Sequence, residues 1–258
     1  ESLYSSYSLD SRQNVTVSTT TRVSNDIALD LKYGEGKTNR DQVGSAVRSY
    51  NRDWPDAQLS LSGIEKWGVF GGDSQDVNAG WFRSSNFNIS YKRSQTVNNI
   101  TERTYNPSIT TTWSPRWTVN FHSGMTATLN ATLNNSEAIT NGVSTLNDRM
   151  RLGLQLRHSF NAQTFLAKLG LYRPGSSQSV TMDVDLSYQT DKNQRLNPGS
   201  AAAKPTGTNR YSLNPRFSYQ ITKNLSGAVR FIFSRSKNLA SGQTTTTLGL
   251  GLEATFVF

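Results

Sequence analysis

Cysteine is absent from the 258 residues, histidine occurs twice, proline seven times, and charged residues make up only 17% of the chain. Without cysteine there is no disulfide framework, no thiolate zinc site and no iron–sulfur cluster. A charged fraction below the roughly 25% of ordinary soluble domains, beside 34% hydrophobic residues, leaves a chain dominated by uncharged polar residues and disfavours a cytosolic α/β enzyme. Long hydrophobic runs are missing too: none approaches the roughly 20 apolar residues of a membrane helix, so no transmembrane helix is expected. Glu1 opens directly into polar sequence with no basic start and apolar core, from which either a leader already removed or a fragment of a longer chain is expected. Lys and Arg number 27 against 18 Asp and Glu, giving +9, but the cations are scattered and do not interleave with aromatics. That pattern suits a polar protein in anionic surroundings, with no nucleic acid as partner.

What the sequence has in abundance is alternation with a period of two. Val180, Met182, Val184, Leu186 and Tyr188 interleave with Thr181, Asp183, Asp185, Ser187 and Gln189. Leu248, Leu250, Leu252, Ala254, Phe256 and Phe258 interleave with small and polar residues, Val257 being the one lapse. The same rhythm runs through Ile27, Leu29, Leu31 and Tyr33, through Phe87, Ile89 and Tyr91, and through Met125, Ala127, Leu129, Ala131 and Leu133. It continues in Leu152, Leu154 and Leu156 and in Val229, Phe231 and Phe233. The spacing predicts eleven strands, near residues 11–20, 25–33, 56–62, 86–95, 105–113, 122–135, 150–160, 179–190, 211–220, 226–235 and 244–258. The fold class is therefore all-β.

Alternation alone fits either a soluble sandwich or a membrane barrel, since each has one apolar and one solvated strand face. Several runs reach the 9 to 11 or so residues a tilted membrane strand needs, beyond the roughly 5 to 6 of soluble strands. Thr126, Thr128, Asn130, Thr132 and Asn134 on one polar face suit a wet lumen, and Tyr33, Tyr91, Trp113, Tyr188, Phe256 and Phe258 lie near strand ends, where interfacial girdles sit. The reading is a transmembrane antiparallel β-barrel segment of about 11 or 12 strands over residues 1–258, with no separate domain. Its expected lipid-facing residues are Ile27, Leu29, Leu31, Leu129, Leu133, Leu152, Leu154, Leu156, Val180, Met182, Val184, Leu186, Phe231, Phe233, Leu248, Leu250, Leu252 and Phe256.

Polar stretches at 34–55, 96–104, 136–149, 191–210 and 236–243 read as external loops, and Ser114-Pro115 and Thr222 to Asn224 as turns at the opposite end. Gly63 to Phe70 and Phe165 to Tyr172 carry apolar residues at helical spacing and read as short interfacial helices or caps, or in the second case as an extra strand. Because complete bacterial barrels have even strand numbers, eleven strands leave two options: Ser2 to Leu9 as a twelfth strand, or one part of a larger barrel.

Catalytic and metal-binding patterns are thin. His122 and His158 each precede a serine, but strand neighbours point to opposite faces, so neither His-Ser pair forms a nucleophile and base. Asp183 with Asp185, and Asp26 with Asp30, could meet a hard cation but lack a third carboxylate, and solvated lumen residues are the better reading. Gly249 and Gly251 sit inside a strand pattern with no helix after them, which argues for close packing and against a phosphate loop. The Asn-x-Ser/Thr triplets at Asn88, Asn99, Asn130, Asn134 and Asn224 follow from composition and are assigned no glycan. No enzyme activity, cofactor or metal is expected.

The segments NRDWPDAQLSLSGIEKW (51–67), YNPSITTT (105–112), FLAKLGLYRPG and VTMDVDLSYQTDKNQRLNPG (within 151–198), YSLNPRFSYQITKNLSGAVRFIFSRS and TTTTLGLGLEATFVF (within 211–258) resemble the C-terminal part of the SprA/Sov family, the outer-membrane translocon of the type IX secretion system. The resemblance implies a very large barrel, of the class that reaches about 36 strands, of which this chain would supply about a third. It also implies an outer-membrane location, a wide lumen with a lateral opening, and contact with lipid and lipopolysaccharide. Its implied partners are the rest of the translocon barrel, plug, gate and lipoprotein accessory subunits, and folded cargo carrying a C-terminal signal. Phe258 resembles the terminal residue by which such barrels are recognised for assembly. The alternative is a self-contained small barrel acting as a passive pore or adhesin.

Overall fold

The computed structural model describes residues 8–42, 45–67, 82–101, 104–161, 179–199, 203–220 and 224–256. They form eleven strands: β1 (Ser8–Ser24), β2 (Ile27–Gln42), β3 (Ser45–Ser62), β4 (Ser84–Thr101), β5 (Thr104–Asn120), β6 (Met125–Thr140), β7 (Val143–Asn161), β8 (Ser179–Leu196), β9 (Thr206–Gln220), β10 (Leu225–Asn238) and β11 (Thr244–Phe256). They make one antiparallel sheet in simple sequence order, each strand pairing with its chain neighbours. Among the described residues β1 and β11 pair on one side only, so both are edges.

Turn chemistry sets the hairpins. At Asn141-Gly142 both residues have positive φ (51° and 77°), the conformation of a tight two-residue hairpin turn. Asn25-Asp26 joins β1 to β2 with a register shift between Arg22 and Ser24 and a bond from the Asp26 amide to Ser24 Oγ at 3.2 Å. Between β10 and β11 the Asn238 side chain accepts the amides of Ala240 and Ser241 at 2.9 and 3.0 Å.

The strand number matches the sequence expectation, but the strands are longer, at 13 to 19 residues. The expected loops at 34–55, 96–104, 136–149, 191–210 and 236–243 are largely ladder; where described, they narrow to short connections such as 141–142 and 239–243. Side-chain polarity marks where water begins, whereas the ladder is made of backbone groups and continues as long as a partner strand runs beside it. Of the possible twelfth strand at Ser2 to Leu9, Ser8 and Leu9 belong to β1 and the remainder lies outside the described residues.

Ser114-Pro115 is no turn either: it lies inside β5, and the reversal comes at 121–124, placing His122 in that turn. Pro115 pairs with Ile89 of β4, but toward β6 the register passes from Trp113↔Leu133 to Arg116↔Asn130. A residue with no N–H fits a strand where one side of the ladder skips. Pro215 repeats the device, pairing with Val184 of β8 while the β9–β10 register passes from Arg216↔Arg230 to Leu213↔Phe233.

One sheet without a second layer has almost no core. Among the described residues no large side chain is fully buried, and burial is scattered: Val180 is covered by Phe160 and Tyr219, and Ile64 is 7% exposed in a 3₁₀ turn at Ile64–Lys66. Glu65 fixes this turn to β4 by accepting the Ser85 amide at 2.9 Å. It is the described part of the cap expected at Gly63 to Phe70, shorter than an α-helix; Phe70, Phe165 to Tyr172, Thr222 and Lys223 lie outside the described residues.

Gly207, at φ 132°, opens β9 so close to β8 that an added Cβ would lie 1.9 Å from the Asp191 carbonyl oxygen. Gly207→Ala is expected to cost about 1–3 kcal/mol through local strain, read as a lowered unfolding midpoint in detergent, with Gly199→Ala as a positive-φ control that meets nothing within 4 Å.

Candidate functional site

The register assembles two continuous faces. The rung Leu29↔Leu59↔Ile89 leads to Pro115 on β5. Next come Leu129↔Leu154↔Leu186↔Leu213, and beyond the skip Phe233↔Leu248. Because side chains alternate, this places Ile27, Leu31, Leu133, Leu152, Leu156, Val180, Met182, Val184, Phe231, Leu250, Leu252 and Phe256 on the same face. All the expected apolar residues thus share one side, called outward here. The terminal Phe258 lies outside the described residues.

Most of this face is exposed: Leu248 is 77% and Leu252 76% accessible, with no second sheet over them among the described residues, while Val180 is buried at one margin, packed by Phe160 and Tyr219. Its band is bounded by aromatics. At one limit are Tyr33 against Trp54 (ring centres 5.9 Å), Tyr91 against Trp113 (4.4 Å) and Tyr188 against Tyr211 (4.7 Å). At the other are Phe87 opposite Trp117, then Phe160, Tyr219 and Phe256. Between these limits the outward positions of the described strands carry no Asp, Glu, Lys or Arg. On β7 the band runs from Met150 to Phe160. That is roughly 33 Å of strand, which a tilt of about 40° lowers to about 25 Å, the height of an outer-membrane apolar belt.

The inward face is predominantly polar, Ile232 being an exception on β10. Thr126, Thr128, Asn130, Thr132 and Asn134 line it from β6; Asn134 donates to Thr112 Oγ1 at 2.9 Å, and Thr126 to Asn120 at 2.9 Å. Ser187 and Ser212 meet at 2.6 Å and Ser159 and Thr181 at 3.0 Å. Ion pairs cross between strands here: Arg40 with Asp10 through two bonds at 3.0 and 3.1 Å, Lys92 with Asp53 at 2.8 Å, and Arg216 with Glu253 at 2.6 Å. Arg40 holds the Asp10 carboxyl below its ordinary range, chiefly by the side-chain hydrogen bond. All are solvated, so they serve more to fix register than to stabilise. An open cleft of about 370 Å³ lies at the polar end of this face, around Asn134, Asn147, Arg149, Asp191 and Asn193.

The candidate chemical groups do not converge. His158 lies on the outward face opposite Met182, its ring stacked on Phe160 at 5.6 Å, while Ser159 points inward to Thr181. His122 sits in its turn, exposed. Asp183 is 3.6 Å from Arg157, Asp30 accepts from Thr20, and Asp26 is in the β1–β2 turn, so neither aspartate pair forms a cage; among the described residues no three His, Asp or Glu gather. Gly249 faces Ile232, whose Cβ lies 3.4 Å from where a side chain would begin, so its smallness serves strand contact. Periodicity had not revealed the segregation of charge on the outward face, because it needs the register to sort cations between faces.

Compared by sequence, the chain matches no protein-family model and no curated protein. By structure it is similar to the Serratia marcescens hemophore receptor HasR, solved as a double mutant with its hemophore HasA and heme (TM-score 0.48, 11% identity, 93% of this chain and 40% of that one). It is also similar to the β domain of the Bordetella autotransporter BrkA (0.30, 9%, 98% and 92%) and to the ferric-catecholate import receptor Fiu of E. coli K12 (0.33, 13%, 96% and 46%). All three are outer-membrane β-barrels. The chain spans less than half the length of the two receptors.

Proposed function

We propose that this chain is a wall segment of an outer-membrane β-barrel, its outward face against lipid and its inward face toward a hydrated passage. One observation carries the reading: among the described residues an exposed apolar band, edged by aromatics on both sides, contains no Asp, Glu, Lys or Arg outward, while charged residues are spread over the inward face. In water such a surface would aggregate; in hydrocarbon it is solvated, and a charge on it would cost several kcal/mol. A backbone paired along nearly all of each ladder between β1 and β11 is also what a membrane core demands.

The finer reading is that the passage is the conduit of the type IX secretion translocon, supported by the sequence segments that resemble its C-terminal part. The inward hydroxyls, amides and ion pairs then provide a wetted wall past which folded cargo moves, and no catalytic group is required. The rest of the translocon barrel and its accessory subunits are the partners of this reading. Two experiments test it in turn. The protein should stay with membranes through alkaline and urea washes and leave them only in detergent; recovery in the aqueous fraction would refute the barrel. Disrupting the segment should trap cargo bearing the C-terminal signal in the periplasm, and normal secretion would refute the translocon assignment while leaving the barrel intact.

A further inference from the structure

On the outward face the described cations Lys37, Arg48, Arg52, Arg93, Lys192, Arg235 and Lys237 all lie at one end, beyond the row containing Tyr33, Trp113 and Tyr211. Near the strands' other end the outward positions carry none among the described strands. Two of these cations stand apart from acids. Arg235 faces Tyr211 and Thr246, and Lys237 faces Asn209 and Thr244. Both are exposed, and no ion pair is formed by either among the described residues. Lys192 stands one rung further out on β8, opposite the side-chain-free Gly207 on one side and Asp148, the nearest outward acid, on the other.

Directly on the apolar side of this cluster the outward surface is dented. A groove of about 410 Å³ runs between Leu213, Pro215, Phe231, Phe233, Leu248 and Leu250. Its origin is the β9–β10 skip: Pro215 has only a short ring to offer and no N–H to hold a rung, so the surface falls away between Leu213 and Phe231.

We propose that β8 to β11 form a binding site for a phosphate-bearing membrane lipid: Arg235, Lys237 and Lys192 take the phosphate, and one acyl chain lies in the groove below. The proposal rests on the outward face meeting lipid. Charge and depth favour this occupant: phosphates sit just outside the aromatic belt, Arg235 and Lys237 stand there with no acid opposite, and the groove continues from the cluster toward hydrocarbon.

The test is native mass spectrometry of the detergent-solubilised protein titrated with diphosphoryl lipid A, the same lipid stripped of phosphate, and inorganic phosphate. The phosphorylated lipid should bind best, and Arg235→Gln with Lys237→Gln should weaken it about fivefold per cation removed. Arg210→Gln, on the inward face of β9 at the same height, should bind like wild type. Equal binding of the phosphorylated and stripped lipids, or equal binding by wild type and double variant, overturns the site. Full displacement of the lipid by inorganic phosphate overturns the acyl-chain half and leaves a free-anion site instead. Protein that needs no detergent at all refutes the membrane reading, an outcome distinct from each of these.

Discussion

Leu154→Arg will destabilise the inserted protein by about 2–4 kcal/mol, the cost of a cation on the lipid face near the membrane midplane. Leu154 lies between Leu129 and Leu186 near the middle of the uncharged band, with Leu152 between it and Met150 at one limit and Leu156 and His158 between it and Phe160 at the other, so an arginine there is placed in hydrocarbon. Its neighbour Gln155 faces inward, opposite Thr128 and Asp185. Gln155→Arg should therefore change stability by less than about 1 kcal/mol, because the new cation is hydrated and has a carboxylate opposite. Urea unfolding in lipid vesicles measures both. Equal effects at the two positions would mean that the faces do not differ in solvent, which removes the lipid assignment.

The second large effect is a reactivity pattern. Since the chain has no cysteine, single cysteines can be placed without background labelling. Along β11, cysteines at Thr245, Thr247, Glu253 and Thr255 should react with a membrane-impermeant maleimide, whereas those at Leu248, Leu250 and Leu252 should be protected in membranes and become reactive on unfolding. Isolated from a bilayer, both sets are exposed, Leu248 at 77%. Protection of exposed residues on one side alone can come only from something covering that face. A flat profile, or an inverted one, would show water on both sides of β11.

The strands and their faces were legible in the sequence because alternation records the difference between two solvents, and each membrane strand samples both. The run from Val180 to Tyr188 needed no structure to be recognised. Strand ends were not legible in the same way. Residues such as Arg149, Asp191 and Asn193 look like loop to a reader of polarity, yet they are ladder, because two polar strands side by side still satisfy each other's backbone. Pro115 misled for a related reason: its meaning depends on whether its missing N–H faces a partner, and that is a property of the pair of strands. The lipid cluster was hidden further still. Arg235 and Lys237 are adjacent to Phe233 in their alternating run, but Lys192 is brought beside them only by two register choices.

Pro115 and Pro215 each stand five residues before the end of their strand, on the way to a turn at the same end of the sheet. The two interrupted seams, β5 with β6 and β9 with β10, therefore lie at one depth, separated by three uninterrupted ladders. Between the two skips, β6 to β9 are joined rung by rung, so the prolines frame one unbroken panel of four strands.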